Sequence, residues 1–480
     1  MKPPKIDTTE FRDHLSNVTE TGKRIWIYPR IVVGQLYKLR TYFSWLLLGL
    51  LFGIPFVEVN GGPLFMFNVL ERKFIFFGVT FFPQDFHLVA FGLLTFIVFI
   101  ILFTVIFGRV WCGWACPQTI FMEMLFRKIE NLIEGDYRAQ QRLDAQPWNT
   151  EKIVKKSAKH IIFFIISFLI ANTFLAYIIG KKELFSIILD NPLNHISGLV
   201  AIVIFTFVFY FVFAKFRELV CIVVCPYGRL QGVLLDKKSI IVAYDFLRGE
   251  PRGKKKKVEE QPNPLEELKS LANPNANKGH CVDCGICVQV CPTGIDIRNG
   301  TQLECIGCTA CIDACDEVMV KTNQPTGLIR YASLDGIEKG NKLSFNLRIK
   351  AYTGVLVALL GILAYMLITR SDVETTLLRT PGLTYQEEKG NVSNLYNIEI
   401  LNKTINAMPV SLRVKDYPAA QIKLIGKPLQ LNKSDLTRGS FFIVIPKKDL
   451  ESPSIKLKVE ILSNGQVIDE VKTSFLGPME

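Results

Sequence analysis

The chain has 480 residues and a mass of 54.4 kDa, a length that ordinarily means about two to four domains. Hydrophobic residues make up 49% and charged residues 21%, with a mean hydropathy of +0.26, which excludes intrinsic disorder and argues against an ordinary soluble chain. Its 12 cysteines are too sparse for a disulfide scaffold, and all lie between Cys112 and Cys315 in groups of two, two, four and four, which points to metal or redox chemistry.

In chain order, residues 1–41 are polar and basic without an apolar core, so nothing there resembles a cleavable signal peptide and the first span is expected to be a retained anchor. Five segments are long and apolar enough to cross a bilayer as helices: Tyr42 to Val57, Leu88 to Phe107, Ile161 to Ile179, Ile196 to Ala214 and Ala351 to Thr369. Leu184 to Leu189 is too short to span and is placed at the interface. Lys2, Lys5, Arg12, Lys23, Arg24, Arg30, Lys38 and Arg40 precede the first span, and Arg109, Arg127, Lys128, Arg138, Arg142, Lys152, Lys155 and Lys156 lie between the second and third. The alternate loops offer only Arg72 with Lys73 and Lys181 with Lys182, so the N-terminus is expected in the cytoplasm and the C-terminus outside. The net charge of +12 then reads as basic inner loops facing anionic lipid, and a nucleic-acid partner is set aside.

The expected fold is a multi-domain integral membrane protein, with an α-helical five-span membrane domain, a cytoplasmic two-cluster ferredoxin-like insert and a C-terminal immunoglobulin-like β-sandwich. A cytoplasmic segment (1–41) leads into four spans with the C-x3-C-P motifs (42–216) and a basic linker (217–278). The ferredoxin-like domain (279–325), a second linker (326–350), the fifth span (351–369) and the external sandwich (370–480) follow. The basic stretch with Arg252 and Lys254 to Lys257 reads as a solvated tether beside anionic headgroups rather than a specific site. Tyr396 to Leu401, Pro409 to Val414, Phe441 to Ile445 and Ile455 to Ile461 read as strands of the sandwich, which has no cysteine and is expected to make protein contacts.

The strongest chemical signal is the pair of runs Cys281-x2-Cys284-x2-Cys287-x3-Cys291-Pro292 and Cys305-x2-Cys308-x2-Cys311-x3-Cys315. Two successive C-x2-C turns wrap three thiolates round one face of a cubane, as in two-cluster bacterial ferredoxins, where the fourth ligand comes from the other run. That resemblance implies one [4Fe–4S] cluster on Cys281, Cys284, Cys287 and Cys315, and another on Cys305, Cys308, Cys311 and Cys291. Structural zinc is the competing reading, disfavoured because zinc sites rarely use three cysteines at consecutive x2 spacing. Asp316 stands where a proline usually follows the last cysteine.

The second signal is a repeat: Cys112 and Cys116 before Pro117, after the second span, and Cys221 and Cys225 before Pro226, after the fourth. On a helix, i and i+4 thiols share a face, so the two motifs could close a four-thiolate site for Cu(I), zinc or another iron–sulfur cluster, against the alternative of buried free thiols. Both motifs lie on the side of the insert, so electrons could reach them from the clusters without crossing the bilayer. Weaker candidates are His87 and His195 as haem, metal or quinol groups, Met122 and Met124 as copper thioethers, and His280 as a tuner of a cluster. Interfacial or solvated histidines and plain helix packing weigh against them.

These residues carry a resemblance to the FixG/CcoG/RdxA family of membrane iron–sulfur proteins, cytochrome c oxidase accessory proteins. It rests on Glu71-Arg72-Lys73-Phe74, Phe77 to Phe86, Gly108 to Thr119, Cys221 to Gln231 and the eight ferredoxin-type cysteines, with Phe82 where the family pattern has Trp. The resemblance implies a multi-pass protein of the bacterial inner membrane that serves assembly of the cbb-type oxidase as a cupric reductase, converting Cu(II) to Cu(I). It implies two [4Fe–4S] clusters, with copper or a third cluster at Cys112, Cys116, Cys221 and Cys225. Its partners would be a cytoplasmic electron donor and, through the external domain, oxidase subunits or copper chaperones, with a homodimer left open. The repeats also resemble membrane ferredoxin subunits of quinol dehydrogenases, which would make the chain a quinol oxidant passing electrons to an external partner. A non-catalytic assembly scaffold is the third reading.

Overall fold

The computed structural model describes residues 17–19, 21, 23–59, 62–69, 72–253, 278–340, 347–380, 382, 385–388, 390–404, 406–450 and 452–478. Lys2, Lys5, Arg12, Glu71, the run Lys254 to Lys257 and the polar stretch after it to 277 lie outside them.

Among the described residues, runs of Leu, Ile, Val and Phe, whose backbone groups a helix satisfies internally, form five helices long and apolar enough to cross a membrane. They are Gln35–Phe56, Pro83–Phe107, Thr150–Ile179, Pro192–Phe216 and Leu347–Ile368. The first begins upstream of Tyr42 and takes Lys38 and Arg40 into the helix. Its start is fixed from far away in the chain: the Asp313 carboxylate accepts from the backbone N–H of Leu36 at 3.2 Å and of Tyr37 at 2.7 Å, capping the helix N-terminus. Gly34 permits this approach, because a Cβ there would overlap the Asp313 side chain. The third helix begins at Thr150, upstream of Ile161, because a lysine-bearing lead-in pairs with carboxylates on Arg127–Glu134.

Two compact units result. One comprises Met1–Phe52, Leu93–Phe174 and Asn191–Leu360. In it, strands Ile241–Tyr244 and Ile329–Ala332 pair antiparallel on either side of the cysteine runs in sequence. Segments expected as linkers on both flanks therefore hold ordered structure and close a ring around the runs. Strands of four residues each carry too little periodicity to be read before their partner is known. Helix Pro226–Leu234 follows the second C-x3-C-P motif, which lies beyond the limit at 216 drawn from the spans.

The other unit comprises Gly53–Gly92, Leu175–Asp190 and Gly361–Glu480. Its sandwich has one sheet ordered Gln421–Ile425, Leu436–Pro446, Asn391–Asn402, Val373–Arg379, with Gln386–Glu388 also on Asn391–Asn402. The facing sheet is Ser411–Val414, Ser454–Ser463, Gln466–Leu476. Alternation along Asn391–Asn402 as far as Ile400 and along the start of Ser454–Ser463, which is then buried throughout from Val459, sends Tyr396, Ile398, Ile400, Leu457, Val459 and Ile461 inward to a common core with Phe441 and Phe475. The Tyr396 hydroxyl donates across the sandwich to the Ser474 carbonyl at 2.8 Å, so the one polar atom of that core ring is satisfied.

The same unit contains a three-stranded meander, Phe65–Asn68, Lys73–Phe76 and Val79–Phe81, that hydropathy did not reveal between two apolar runs. Just after it, buried Asp85 accepts from Arg370 at 2.7 Å and from Lys403 at 2.7 Å, and the Thr80 and Ser434 hydroxyls meet at 3.0 Å. Arg370 also donates to the Thr80 carbonyl and lies over the Phe81 ring at 4.7 Å. The sandwich is thus clamped to the meander by one carboxylate shared between two cations. Removing that carboxylate strands the buried Arg370 guanidinium while Lys403 keeps Glu374 at 2.9 Å, so Asp85→Ala is expected to cost about 3 kcal/mol. Limited proteolysis of the detergent-solubilised protein checks this: the sandwich should be released intact and faster than from wild type.

Candidate functional site: the cysteine centres and the loops that join them

The structure breaks the helix at each C-x3-C-P motif instead of carrying both thiols along one face. Cys112 lies on the short helix Val110–Trp114, while Cys116 is extended (φ −64°, ψ 123°) and caps the helical run that begins at Pro117. Cys221 lies on the π-helical turn Val220–Val224, and Cys225 (φ −70°, ψ 112°) caps Pro226–Leu234. The i, i+4 expectation fails for one reason: a residue before proline is pushed out of the α region. Cys116 and Cys225 consequently sit at helix N-termini, each capping the run that its proline opens.

All four sulfurs share one neighbourhood. Burial pushes the Cys112 thiol up to about 11, with Cys116 and Cys225 adding repulsion and Gln231 opposing it. Burial pushes Cys221 up to about 12, with Cys116, Cys112 and Cys225 all contributing. Among the described residues no three His, Cys, Asp or Glu side chains close to single-ion geometry. Gln231 is fully buried and donates to Cys112 Sγ at 3.3 Å, and Tyr227 beside it meets the Thr104 hydroxyl at 2.8 Å.

The eight remaining cysteines line two cavities. One is bordered by Cys281, Cys284, Cys287 and Cys315 with Tyr244, Ile286, Met319 and Leu328. The other is bordered by Cys291, Cys305, Cys308 and Cys311, and Cys287 lies on its wall too. Cys284 alone of the 12 cysteines is exposed.

The first C-x3-C-P loop rests directly on the second cysteine run. Gly113 meets Gly307 so closely that a Cβ on Gly113 would overlap the Gly307 carbonyl. Two buried arginines bind both loops. Arg40 donates to the Gly113 carbonyl at 2.7 Å and the Cys308 carbonyl at 3.2 Å. Arg109 donates to the carbonyls of Leu303, of Cys305 at 2.9 Å and of Gly228 at 3.0 Å. Trp114 Nε1 donates to the Tyr331 hydroxyl at 2.9 Å, and that hydroxyl reaches the Gly307 carbonyl at 3.5 Å. Tyr331 and Asp313 escaped the sequence reading, Arg40 entered it only as a charge that sets orientation and Gln231 only as the end of a matching stretch; the signal available for Arg40 was a cation two positions before an apolar run.

Three family models match the chain: a 4Fe-4S binding domain over residues 89–134, a 4Fe-4S dicluster domain over 216–334 and the IG-like fold at the C-terminal of FixG over 363–478. Nitrogen fixation protein FixG of Rhizobium meliloti is 32% identical, over 88% of this chain and 87% of its own length. Protein RdxB of Cereibacter sphaeroides is 33% identical, over 93% and 95%, and RdxA of the same organism 34%, over 78% and 79%. The chain belongs to the FixG family. It is accordingly a membrane protein of the iron–sulfur electron-transfer kind. The cavities suit such clusters: each is ringed by four soft donors in largely apolar walls, and backbone N–H groups of Gly307 and Ala310 favour thiolates at Cys305 and Cys308. Burial pushes Cys308 up to about 11 and Cys287 and Cys315 up to about 12, so four thiolates can coexist there only beside a compensating cation such as iron.

Other candidates fall into supporting places. Met122 and Met124 are buried in helix packing, His280 accepts from Arg248 Nε at 3.0 Å, His87 is exposed and His195 half-buried. Arg217, four residues before Cys221, is held by Glu130 at 2.6 Å, and Glu130 also meets Lys159 at 3.3 Å. Trp26 lies between the guanidinium groups of Arg217 and Arg24, each 4.5 Å from the ring centre. Burial raises the Glu130 carboxyl, but Arg217, Lys159 and Arg127 outweigh it and hold it down to about 2. A carboxyl depressed on folding stabilises the fold fully above its ordinary value near 4.5 and loses that contribution as pH falls toward about 2. Glu130→Gln is therefore expected to lower thermal stability at neutral pH and to flatten the acid-side decline below about pH 4.5, read by thermal unfolding in detergent across pH.

Proposed function

We propose that this FixG-family chain is a one-electron cupric reductase of the bacterial inner membrane that supplies Cu(I) for assembly of a cbb-type haem–copper oxidase. The observation that carries the reading is the continuity of sulfur: two four-cysteine cavities share the wall at Cys287, and the second adjoins the C-x3-C-P loop through Gly307 and Gly113. One-electron reduction needs such a relay, and the product is a soft ion that thiolates hold well.

In this reading Cys281, Cys284, Cys287 and Cys315 hold one [4Fe–4S] cluster, and Cys291, Cys305, Cys308 and Cys311 the other. Bound iron–sulfur clusters supply one-electron storage. The protein's residues exclude water, orient the sulfurs and set their charge. Copper is the substrate, held by Cys112, Cys116, Cys221 and Cys225, where Gln231 orients Cys112 and the two prolines set Cys116 and Cys225 at helix N-termini. The basic segments before the first span and between the second and third support a cytoplasmic N-terminus and cysteine-bearing part, with the sandwich outside. Out there the sandwich would meet oxidase subunits or copper chaperones.

Anaerobic protein with a reductant and Cu(II) is expected to yield Cu(I), and replacing the four C-x3-C-P cysteines by serine should abolish the yield while both cluster signals persist. Undiminished reduction in that variant would sink the assignment. Metal and sulfide analysis separates the occupants: eight irons with stoichiometric copper fits the proposal, whereas 12 irons would place a third cluster at the C-x3-C-P cysteines.

A further inference from the structure

We propose that the Gly113–Gly307 contact is the electron-transfer junction of the protein, so that the Cys291, Cys305, Cys308 and Cys311 set delivers to the C-x3-C-P cysteines and the Cys281, Cys284, Cys287 and Cys315 set receives from the carrier. The inference rests on the one-electron reading above and gives it an order. Three independent features point the same way. The first is exposure: Cys284 borders only the first cavity and is the single exposed cysteine, so a macromolecular carrier meets that set. The second is adjacency: Cys287 is common to both walls, which puts the two sets in series.

The third is the junction itself. Two glycines let the main chains of the Cys112 loop and the Cys305–Cys308 loop touch, and nothing larger than hydrogen fits at Gly113. Buried Arg40 and Arg109 hold the touching segments from both sides, gripping carbonyls of Gly113, Cys305 and Cys308. The Trp114–Tyr331 hydrogen bond runs alongside, from the residue between Cys112 and Cys116 to the one whose hydroxyl also reaches Gly307. An arrangement serving only to pack two loops would not need both to be main chain at the contact and fastened through the carbonyls of cysteines. For each electron, a soluble one-electron carrier is oxidised by one unit and Cu(II) becomes Cu(I). No bond forms or breaks and no proton moves.

The test uses the full-length, cluster-loaded protein under anaerobic conditions, with both centres reduced by dithionite and followed by freeze-quench electron paramagnetic resonance. Cys284→Ser marks the signal of the exposed set by shifting its g values. On adding Cu(II), the unmarked signal should disappear first. In Gly113→Val, with iron and sulfide at wild-type levels, reduction by dithionite should be unchanged and reoxidation by Cu(II) slower by about tenfold or more. Should that variant lose iron, Trp114→Phe with Tyr331→Phe takes its place, with slower reoxidation again expected. Loss of the marked signal first, or wild-type reoxidation in the junction variants, overturns the proposal. Oxidised cytochrome c, too large to enter, serves as a copper-independent arm: the marked signal should go first in Cys284→Ser with or without the junction substitutions, and the reverse order also overturns it. Failure of Cu(II) to reoxidise wild type at all would instead defeat the copper reading, leaving the cytochrome c order to judge the intake face.

Discussion

The cysteine-bearing unit depends on two loops that approach each other through glycine. Gly113 on Gly307 leaves no room for side chains, so the loops must be held by groups that reach round the contact, and Arg40 and Arg109 do so with guanidinium donors on main-chain carbonyls. Among the described residues neither arginine has a carboxylate partner. A buried cation without a carboxylate is costly, the more so as Arg40 Nη2 and Arg109 Nε find no hydrogen-bond partner among the described residues; the sulfurs nearby offset that cost, since burial raises Cys308, Cys112 and Cys305 while Arg40 opposes the rise at Cys308 and Arg109 at Cys112 and Cys305. The same two side chains therefore fasten the loops and offset the negative charge that the sulfurs bring.

Asp313 applies this logic in reverse. It lies on the helix between Cys311 and Cys315, and it spends its carboxylate on the N-terminal amides of the first long helix. The second run is thus tied to the first helix by Asp313 and Arg40, and to the segment after the second by Arg109 and Gly113. Four contacts from one run of cysteines leave it little freedom to move as a tethered domain. A cluster at Cys305, Cys308, Cys311 and Cys291, as proposed, would sit at a fixed place relative to the C-x3-C-P thiols.

What the sequence disclosed follows from which forces are local. Apolar runs long enough to span need no partner to be recognised, and C-x2-C-x2-C spacing encodes its own turn geometry, so the helices and the ferredoxin-like runs were legible. The Phe65–Phe81 meander was not, because its aromatic residues merge with the apolar runs on either side and its register appears only on pairing. Ile241–Tyr244 and Ile329–Ala332 stayed hidden for the same reason. The C-x3-C-P motifs were misread locally: helical spacing was applied across a proline that, read one residue earlier, already ends the helix. Asp85 was legible as part of a motif, whereas its partners Arg370 and Lys403 lie hundreds of positions away and no local pattern announces them.

The proline break changes what the C-x3-C-P cysteines can do. On one continuous helix they would present sulfurs along a stripe, far from any helix end. As built, Cys116 and Cys225 lie at the positive ends of two helices, and Arg109 opposes the rise that burial causes at Cys112. Four thiolates alone would create a strongly negative pocket, and such a pocket favours the divalent over the monovalent ion by simple Coulomb attraction. Positive helix ends and a buried guanidinium reduce that bias while leaving the softness of sulfur untouched, and softness selects Cu(I). Were copper held there, as proposed, the surroundings would shift the balance toward the reduced ion without changing a ligand. The two prolines that end the helices are the sequence feature responsible.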